Sequence, residues 1–300
     1  MTRLAGAARP GMDRRVLAAA LRRAERASGR GGVGAGLRRP VRHLRPAVQR
    51  LIGTTEVTCT IFTGQRMRVV LPEIVGTALY RHGYIEAPLT HVLLDRLRPG
   101  MVFVDVGAHY GYHSLIASLL VGPAGSVLAL EPGRGVLPLL RQNTAGATNV
   151  TVNAVAACAG NGTVTFRDFG PAHSSLGTLF SDARVPRPER QRLNARAYRV
   201  RSVGLDDHLS SAGLRPDFVK LDAEGSELDI LHGMRRALEE VGPVLAMEAG
   251  DYEGMPSPDT VSCIEFLEGL GYRALEYADG LRAHSRRPRY GYDNLFFVKG

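Results

Sequence analysis

The sequence predicts an α/β protein with a doubly wound, mostly parallel sheet, and two observations support this prediction. First, six short apolar runs recur without the alternation of a half-exposed strand, so each strand is expected to be covered on both faces. Second, segments with helical periodicity separate most of these runs, as in the strand–helix–strand units of a doubly wound sheet. The runs lie at 101–106, 126–130, 150–155, 217–221, 244–247 and 272–275, and the helical segments at 112–120, 134–145, 227–240 and 260–270.

Two alternating runs precede the sheet, at 57–61 and 67–71, and a Thr-Gly-Gln turn separates them. This pattern predicts a β-hairpin. Helical patterns follow at 72–82 and 88–97. We therefore expect residues 51–100 to form a small hairpin-and-helix segment in front of the sheet.

The last apolar run lies at 294–298, and no helical segment separates it from the run at 272–275. Without a crossover helix a strand cannot return parallel to its predecessor, so we expect this one to be antiparallel. Residues 101–300 are then predicted to form one domain that binds the ligand and carries the chemistry.

The positive charge of the chain is concentrated at its beginning. Residues 1–50 contain 13 Arg, no Lys and two acids, which is +11, and the remaining residues contain 25 basic and 27 acidic side chains, which is −2. A nucleic-acid-binding domain is expected to carry a basic face on its folded part, so nucleic acid is an unlikely partner by this criterion. The composition of residues 1–50, rich in Gly, Ala, Arg and Pro, predicts a disordered arm that catalysis does not need. Within it a short helix over 13–27 would place Leu17, Leu21 and Ala24 on one face, and we expect that helix to be solvated.

The cysteines and the hydropathy of the chain indicate the cellular compartment in which the protein is expected. The three cysteines, Cys59, Cys158 and Cys263, are about a hundred residues apart and form no metal knuckle or disulfide framework. This favours a cytoplasmic protein. No apolar run reaches the roughly 18 residues that a membrane-spanning helix needs, so no span is expected.

The exit of the first predicted parallel strand is where a ligand is expected, since open α/β sheets bind ligands at the carboxyl ends of their strands. Two glycines four residues apart follow this strand, in Asp105-Val106-Gly107-Ala108-His109-Tyr110-Gly111. The G-x-G-x-x-G spacing of a dinucleotide site is absent. Asp105 would repel a pyrophosphate and suits a positively charged ligand, such as a sulfonium or an ammonium.

A second acid ends the next strand. Glu131, in Leu128-Ala129-Leu130-Glu131-Pro132, follows the glycine turn by about twenty residues, the spacing at which an acid accepts hydrogen bonds from a ribose diol. An acid-ended first strand, a glycine loop and an acid-ended second strand together are typical of class I S-adenosylmethionine sites. The pattern therefore predicts S-adenosyl-L-methionine as the cofactor.

From about residue 84 to 298 the sequence resembles the FkbM family of methyltransferases. The resemblance is carried by the segments 83–88, 105–111, 130–132, 153–156 and 205–209, by Asn143 and Asn149, and most specifically by 219–227. It implies a Rossmann-like class I fold, S-adenosylmethionine binding and methyl transfer to a hydroxyl, often of a sugar or a secondary metabolite. On the matching positions the implied cofactor-binding residues are Glu86, Asp105, Gly107, His109, Gly111, Glu131 and Asn153. His109 departs from the family, which usually has Asn there.

The segment 219–227 contains Lys220, one of two lysines in the chain. A lysine in an apolar strand needs a carboxylate partner, and Asp222, Asp105 or Glu224 could supply it. One interpretation is a purely structural ion pair. In the other, which makes Lys220, Asp222 and Glu224 the candidate catalytic residues, Asp222 or Glu224 takes or orients the hydroxyl proton.

Two further features of this region lead to predictions. Ser226 and Asp229 have the spacing of a capping box at the start of the following helix. Glu248 ends the next strand and could share a divalent cation with Asp222 or Glu224, although nothing in the spacing requires a metal and none is assigned. The acceptor hydroxyl is expected to approach between Asp222 and the loop around His173.

The sequence thus favours an S-adenosylmethionine-dependent O-methyltransferase that acts on a small molecule, a sugar or a secondary metabolite. The alternative from another class is a noncatalytic binding protein that keeps the fold and uses its basic arm on a nucleic acid or an anionic surface. A nucleotide-dependent dehydrogenase is the third. The sequence does not specify the acceptor or the oligomeric state.

Overall fold

The computed structural model describes residues 13–29, 40–179, 195–251, 260–291 and 293–300. Strands and helices alternate along most of this length, as the apolar runs predict. The strands are β1 (Thr55–Thr60), β2 (Arg66–Leu71), β3 (Val102–Val106), β4 (Ser126–Leu130), β5 (Val150–Asn153), β6 (Ala156–Cys158), β7 (Gly162–Asp168), β8 (Arg196–Gly204), β9 (Phe218–Leu221), β10 (Val244–Ala249), β11 (Tyr272–Tyr277), β12 (Leu281–Ala283) and β13 (Asp293–Lys299). The helices are α1 (Arg14–Gly29), α2 (Pro40–Ile52), α3 (Ile74–His82), α4 (Ala87–Arg96), α5 (Tyr112–Val121), α6 (Leu137–Thr144), α7 (Leu205–Ser211), α8 (Glu227–Gly233), α9 (Arg235–Glu240) and α10 (Thr260–Gly269).

The main sheet has eight strands in the order β12-β11-β13-β10-β9-β3-β4-β5. Strands β10, β9, β3, β4 and β5 pair in parallel, and β13 inserts antiparallel between β10 and β11. Both the doubly wound, Rossmann-like class I fold and the antiparallel last strand are confirmed.

The strand order reverses between β3 and β9. From β3 the chain proceeds outward through β4 and β5, and from β9 it proceeds in the opposite direction through β10. Asp105 on β3 and Lys220 on β9 are register partners across this boundary. A crevice opens at the carboxyl ends of strands that diverge in this way, so the predicted site residues converge at this point of the sheet.

The hairpin and the first helices pack on the sheet. Strands β1 and β2 pair antiparallel, with Val57 opposite Val69. Their buried side chains share one hydrophobic core with α4, with α5 and with Phe103 and Phe218 of the main sheet. The predicted hairpin is therefore confirmed, and it is part of the support of the sheet.

The expectation of a disordered arm is wrong for residues 14–29 and for residues 40–50, which belong to α1 and α2. Helix α1 packs on α4, and the side chains of Leu17 and Leu21 are 1% and 0% exposed. His91 of α4 lies 3.1 Å from the carboxylate of Glu25, which ties the helices together at their polar edge. The sequence predicts the apolar face of this helix correctly. It does not reveal that the face is buried against α4, so the helix is packed on the domain and is not solvated. The other parts of the predicted arm, 1–12 and 30–39, lie outside the described residues.

A second, three-stranded sheet was not predicted. Its order is β6-β8-β7, with β8 antiparallel to β7 and parallel to β6. The connection from β7 continues into residues 169–179, which include a short 3-10 turn at Pro171–Leu176. This small sheet thus positions a loop above the carboxyl ends of the main strands.

The helix predicted over 227–240 is interrupted. Gly233 ends α8, and a side chain there would overlap the backbone carbonyl of Cys158 on β6. Met234 then has non-helical backbone angles, with φ −122° and ψ 18°, before α9 begins. The close approach of β6 explains both the glycine and the break.

Among the described helices, none combines the length and the apolar character that crossing a bilayer requires.

Candidate functional site

The glycine loop after β3 touches the loop after β9. Gly107 has a φ of +73°, and a Cβ atom at this position would overlap the carbonyl oxygen of Asp222. The amides of Gly107 and Ala108 donate to the carbonyl of Leu130, at 3.0 and 3.1 Å. Only glycine meets both the backbone conformation and the close approach, so Gly107 sets the width of the crevice at the strand reversal.

His109 adopts the left-handed conformation, with a φ of +49°. Asn, Asp and His are the residues other than glycine that this region accepts most readily, so His can replace the usual Asn of the family without changing the loop. Its amide donates to Glu131 Oε2 at 2.8 Å, and its Nε2 lies 2.9 Å from the hydroxyl of Ser174. Burial lowers the pKa of the His109 imidazole, which is therefore neutral at pH 7.

Glu131 is a buried carboxylate with acceptor capacity left over. Its Oε1 accepts from the amide of Gly133 at 2.7 Å, and its Oε2 accepts from the amide of His109. Burial raises the pKa of the Glu131 carboxyl to about 7, against the lowering effect of these two amides. A carboxylate has about four lone-pair sites, so two remain for donors on a ligand.

Lys220 lies at the centre of the strand reversal. Its Nζ is 3.0 Å from Asp222 Oδ2 and 3.5 Å from Asp105 Oδ1, and it also donates to the carbonyl of Gly107 at 3.2 Å. The side chains of Lys220 and Asp105 are 3% and 1% exposed. Burial lowers the pKa of Lys220, but the two carboxylates more than offset this and hold it above its usual value. The predicted carboxylate partners are therefore Asp222 and Asp105.

Asp105 lies beneath the site. Its Oδ2 accepts from the hydroxyl of Ser114 at 2.6 Å, and Lys220 covers its other oxygen. Burial raises the pKa of the Asp105 carboxyl, while Lys220 and Ser114 lower it. The sequence placed this carboxylate against a cationic ligand, whereas in the structure it faces the cation of the protein itself.

Glu86 enters the site from the segment between α3 and α4. It has a φ of +42°, and its Oε2 lies 3.6 Å from His113 Nε2. About a third of the side chain is exposed, and that surface faces the cavity. Removal from bulk solvent and the nearby charges of Asp222 and Asp105 raise the pKa of Glu86 to about 7, although Lys220 lowers it.

Three carboxylates converge above Lys220. Oxygen atoms of Asp222, Glu224 and Glu248 lie within 4.8 Å of one another, and such a group could hold a metal ion. Glu224 has a φ of +53°, and its carbonyl accepts from the hydroxyl of Thr178 at 3.1 Å. The loop after β9 is thereby tied to the loop at 169–179.

The predicted capping box is wrong. Ser226 is at the N-cap of α8, but its hydroxyl makes no capping hydrogen bond, and Asp229 accepts from the amide of Ala159 instead. Glu227 holds the turn, because its Oε1 accepts from the amides of Ala223 and Gly225 at 3.0 and 3.2 Å. A carboxylate one residue into the helix thus replaces the cap.

These loops enclose a cavity of about 570 Å³. Seven of the residues predicted for the site line it: Glu86, Gly107, His109, Glu131, Lys220, Asp222 and Glu224. Glu248, raised as a metal partner, lines it too.

Three predicted cofactor-binding residues do not line this cavity: Asp105, Gly111 and Asn153. Asp105 is under Lys220. Gly111 is the N-cap of α5, where a side chain would press on Leu140. Asn153 supports the site through its backbone, since its carbonyl accepts from the amide of Glu131 at 3.1 Å. The loop around His173 does cover the cavity, through residues 174–179, but His173 itself is not part of the lining.

Other lining residues were not found in the sequence. They include apolar side chains of α3, aromatic side chains of the glycine loop and α5, and the polar loop after β7: Ile74, Val75, Ala78, Tyr110, Tyr112, His113, Ser174 and Ser175. The apolar side chains of α3 and the aromatic side chains near the start of α5 follow the pattern of ordinary packed residues, so nothing in the sequence marked them as part of a site. For the serines, the signal available was their place in a polar loop.

Comparison with known proteins identifies the family of the chain. The model of the methyltransferase FkbM domain family matches residues 105–274. The hexuronic acid methyltransferase AglP of Haloferax volcanii is 26% identical over 162 residues, which are 53% of this chain and 61% of that protein. A protein-L-isoaspartate O-methyltransferase of Methanothrix thermoacetophila is 30% identical over 112 residues, which are 37% of this chain and 51% of that protein. The chain thus spans between half and two thirds of the length of these relatives.

Among solved structures, an FkbM methyltransferase from Methylobacillus flagellatus superposes with a TM-score of 0.41 at 21% identity, covering 74% of this chain and 52% of that one. The family match covers more than half of the chain, from the end of β3 into β11, and includes the glycine loop, Glu131 and the segment from Lys220 to Glu227. The chain therefore belongs to the FkbM family of methyltransferase domains.

Proposed function

We propose that this protein transfers a methyl group from S-adenosylmethionine to a hydroxyl oxygen of a small molecule or sugar. The observation that carries the proposal is a single cavity at the strand reversal, with Glu131 and the glycine loop on one wall and Asp222 and Glu224 on another. Family membership supports methyl transfer. The name of the hexuronic acid methyltransferase relative supports a sugar acceptor.

The volume of the cavity and the charge of its lining support S-adenosylmethionine as the ligand. Its volume of about 570 Å³ lies within the roughly 300–1,000 Å³ of small-molecule sites. The two remaining lone-pair sites of Glu131 suit the hydroxyls of a ribose. When bound, S-adenosylmethionine supplies a methyl carbon on a positively charged sulfur, which the acidic lining favours electrostatically.

The protein has two tasks in this reaction, positioning and proton removal. Methyl transfer needs the acceptor oxygen in line with the methyl carbon and close to it, so the first task of the cavity is to hold both substrates. The acceptor oxygen gains the methyl group as the methyl–sulfur bond breaks and S-adenosylhomocysteine leaves, and we assign the proton that the oxygen loses to Asp222 or Glu224. Lys220 acts as a positioning residue, because its 3.0 Å contact fixes the Asp222 carboxylate.

A metal-assisted variant of the same reaction is the second candidate. The observation that favours it is the grouping of Asp222, Glu224 and Glu248 within 4.8 Å. Carboxylate oxygens are the ligands that hard divalent cations prefer. A cation bound there would lower the pKa of the acceptor hydroxyl.

The test separates binding from turnover. Asp222→Asn keeps the shape of the side chain and removes its charge, so turnover on a panel of hexuronic acids and other sugars should fall about 100-fold or more while S-adenosylhomocysteine still binds. Glu131→Gln should instead weaken that binding by about 1–3 kcal/mol in a calorimetric titration. Full activity of Asp222→Asn would reduce Asp222 to a scaffold residue.

Two additions to this test cover the other candidates. Loss of activity in EDTA that magnesium restores would select the metal-assisted variant. Thermal shifts compare the cofactor classes, because a ligand that binds only the folded state raises the melting temperature. Stabilisation by NAD and not by S-adenosylhomocysteine would refute the proposal. Binding of S-adenosylhomocysteine without turnover on any acceptor would favour the noncatalytic alternative.

A further inference from the structure

Helix α2 exposes an apolar stripe to solvent. The side chains of Leu44, Val48, Leu51 and Ile52 are 62%, 47%, 87% and 71% exposed. Their spacing of four, seven and eight residues places them on one side of the helix. Helices of a globular protein normally turn such a stripe toward the core, so this arrangement requires an explanation.

The core contact of α2 is on its other side. Pro46 is buried, and the helix packs there against β2 and α3. The helix is therefore held by the domain through one face while the apolar stripe points away from it. Because the stripe is on a packed helix, it has a fixed position relative to the rest of the fold.

Exposed positive charge accompanies the stripe. At 100° per residue, Arg45 lies directly beside Ile52, and Arg50 lies on the other side of the helix, between Leu51 and the buried Pro46. Between Glu25 and Glu56 the sequence contains seven arginines and no acid. An apolar stripe accompanied by arginines is the pattern of a helix that lies in a membrane interface.

We propose that α2 docks this protein on the surface of an anionic lipid bilayer, with the apolar stripe in the acyl boundary and the arginines at the headgroups. A second copy of the chain is a poorer occupant. A two-fold contact through α2 would bring its arginines near their own copies, and the helix has no acid to pair with them.

Docking through α2 places the candidate site beside the bilayer. Ile74, the first residue of α3, is 72% exposed and lines the cavity, so it is at the cavity mouth. Helix α2 packs against α3. The cavity mouth would therefore lie one helix diameter, roughly 10 Å, from the docked face.

The experiment uses the full chain and sedimentation with phosphatidylcholine vesicles, with and without phosphatidylglycerol. We expect binding to the anionic vesicles that weakens in high salt, as screening of the arginines requires. The double variant Leu51→Ser/Ile52→Ser should lower the partition coefficient about tenfold or more, because it removes the inserted apolar surface. Val16→Ser changes an equally apolar side chain on α1 that is 56% exposed, and it should stay within about twofold of the unchanged protein.

The charge is tested separately. Arg45→Gln/Arg50→Gln should lower binding to anionic vesicles about tenfold or more, and Arg141→Gln, on the exposed side of α6, should not. Thermal melting confirms that each variant is folded, and Leu44→Ser replaces the double variant if that one is not.

Four outcomes would overturn the proposal. They are no binding by the unchanged protein, equal binding to neutral vesicles, undiminished binding by Leu51→Ser/Ile52→Ser, and a dimer in sedimentation velocity that the same substitutions dissociate without any vesicle binding.

Discussion

Replacing Lys220 by Met tests the strand reversal directly. The substitution keeps the apolar stem and removes the ammonium group, which lies 3.5 Å from an Asp105 carboxylate that is 1% exposed. Breaking a buried pair by removing one partner leaves an uncompensated charge and costs about 3–5 kcal/mol. We expect a loss of this size in the free energy of unfolding at pH 7, measured by urea denaturation. The double variant Asp105→Asn/Lys220→Met should recover most of it, because neither charge of this buried pair then remains.

The pH dependence of the loss in unfolding free energy shows whether the buried Asp105 carboxylate causes it. In Lys220→Met the Asp105 carboxyl stays buried and loses its cation, so its pKa in the folded state rises further above the value of about 3.9 in the unfolded chain. Between these two pKa values the folded state binds more protons than the unfolded state, so stability falls as the pH rises. The deficit should therefore be smaller at about pH 5 than at about pH 8.

Lys299→Met is the matched control. It removes the other lysine, which donates to the carbonyls of Leu238 and Glu239 near the surface. This variant should lose little stability and show no such dependence on pH. A Lys220→Met protein as stable as the control, or a double variant no more stable than the single one, would refute the reasoning about the buried pair.

Three further predictions concern other parts of the molecule. Because the pKa of Glu131 is about 7 in the ligand-free protein, affinity for S-adenosylhomocysteine should rise between about pH 6 and pH 8 as the carboxylate ionises. Glu131→Gln should remove that rise in calorimetry. Leu17→Ala on α1 should destabilise the protein by about 2–5 kcal/mol in urea denaturation, which a solvated helix would not show. Gly107→Ala should abolish binding of S-adenosylhomocysteine through overlap with the facing carbonyl. Gly100→Ala, with a similar φ and open space around it, should lose only about 1 kcal/mol and keep binding.

The fold could be predicted because the main sheet is buried on both faces. Burial of this kind makes β3, β4 and β9 continuous apolar runs, and the absence of a crossover helix before β13 fixes its direction. The small sheet follows another rule. In β8 arginines alternate with Tyr198, Val200 and Ser202, so the strand has the composition of a solvated segment although it pairs with β7 from residue 196 to residue 202.

The site could be predicted where chemistry and position coincide. Glu131 and Asp222 are polar residues at the ends of apolar strands, and strand ends meet at one edge of a sheet. Asp105 has the same position in its strand, but its register with Lys220 turns it toward a partner inside the protein. The register between two paired strands cannot be read from the sequence. The sequence therefore could not distinguish a carboxylate that faces the ligand from one that supports the site. The docked α1 is a similar case, since its apolar face was visible and the complementary face on α4 was not.

The small sheet separates a wall of the cavity that tolerates changes in sequence and length from a wall that does not. Strands β7 and β8 hold each other by antiparallel pairing, and residues 174–179, which follow β7, line the cavity. A connection between two paired strands can change length and composition with little effect on their register, since the closure entropy of a loop grows slowly with its length. The cofactor wall, by contrast, is fixed by contacts as close as that of Gly107 with Asp222. We therefore expect that replacing the β7–β8 connection with that of another family member would change which acceptor binds, while the cofactor wall of the cavity stays the same.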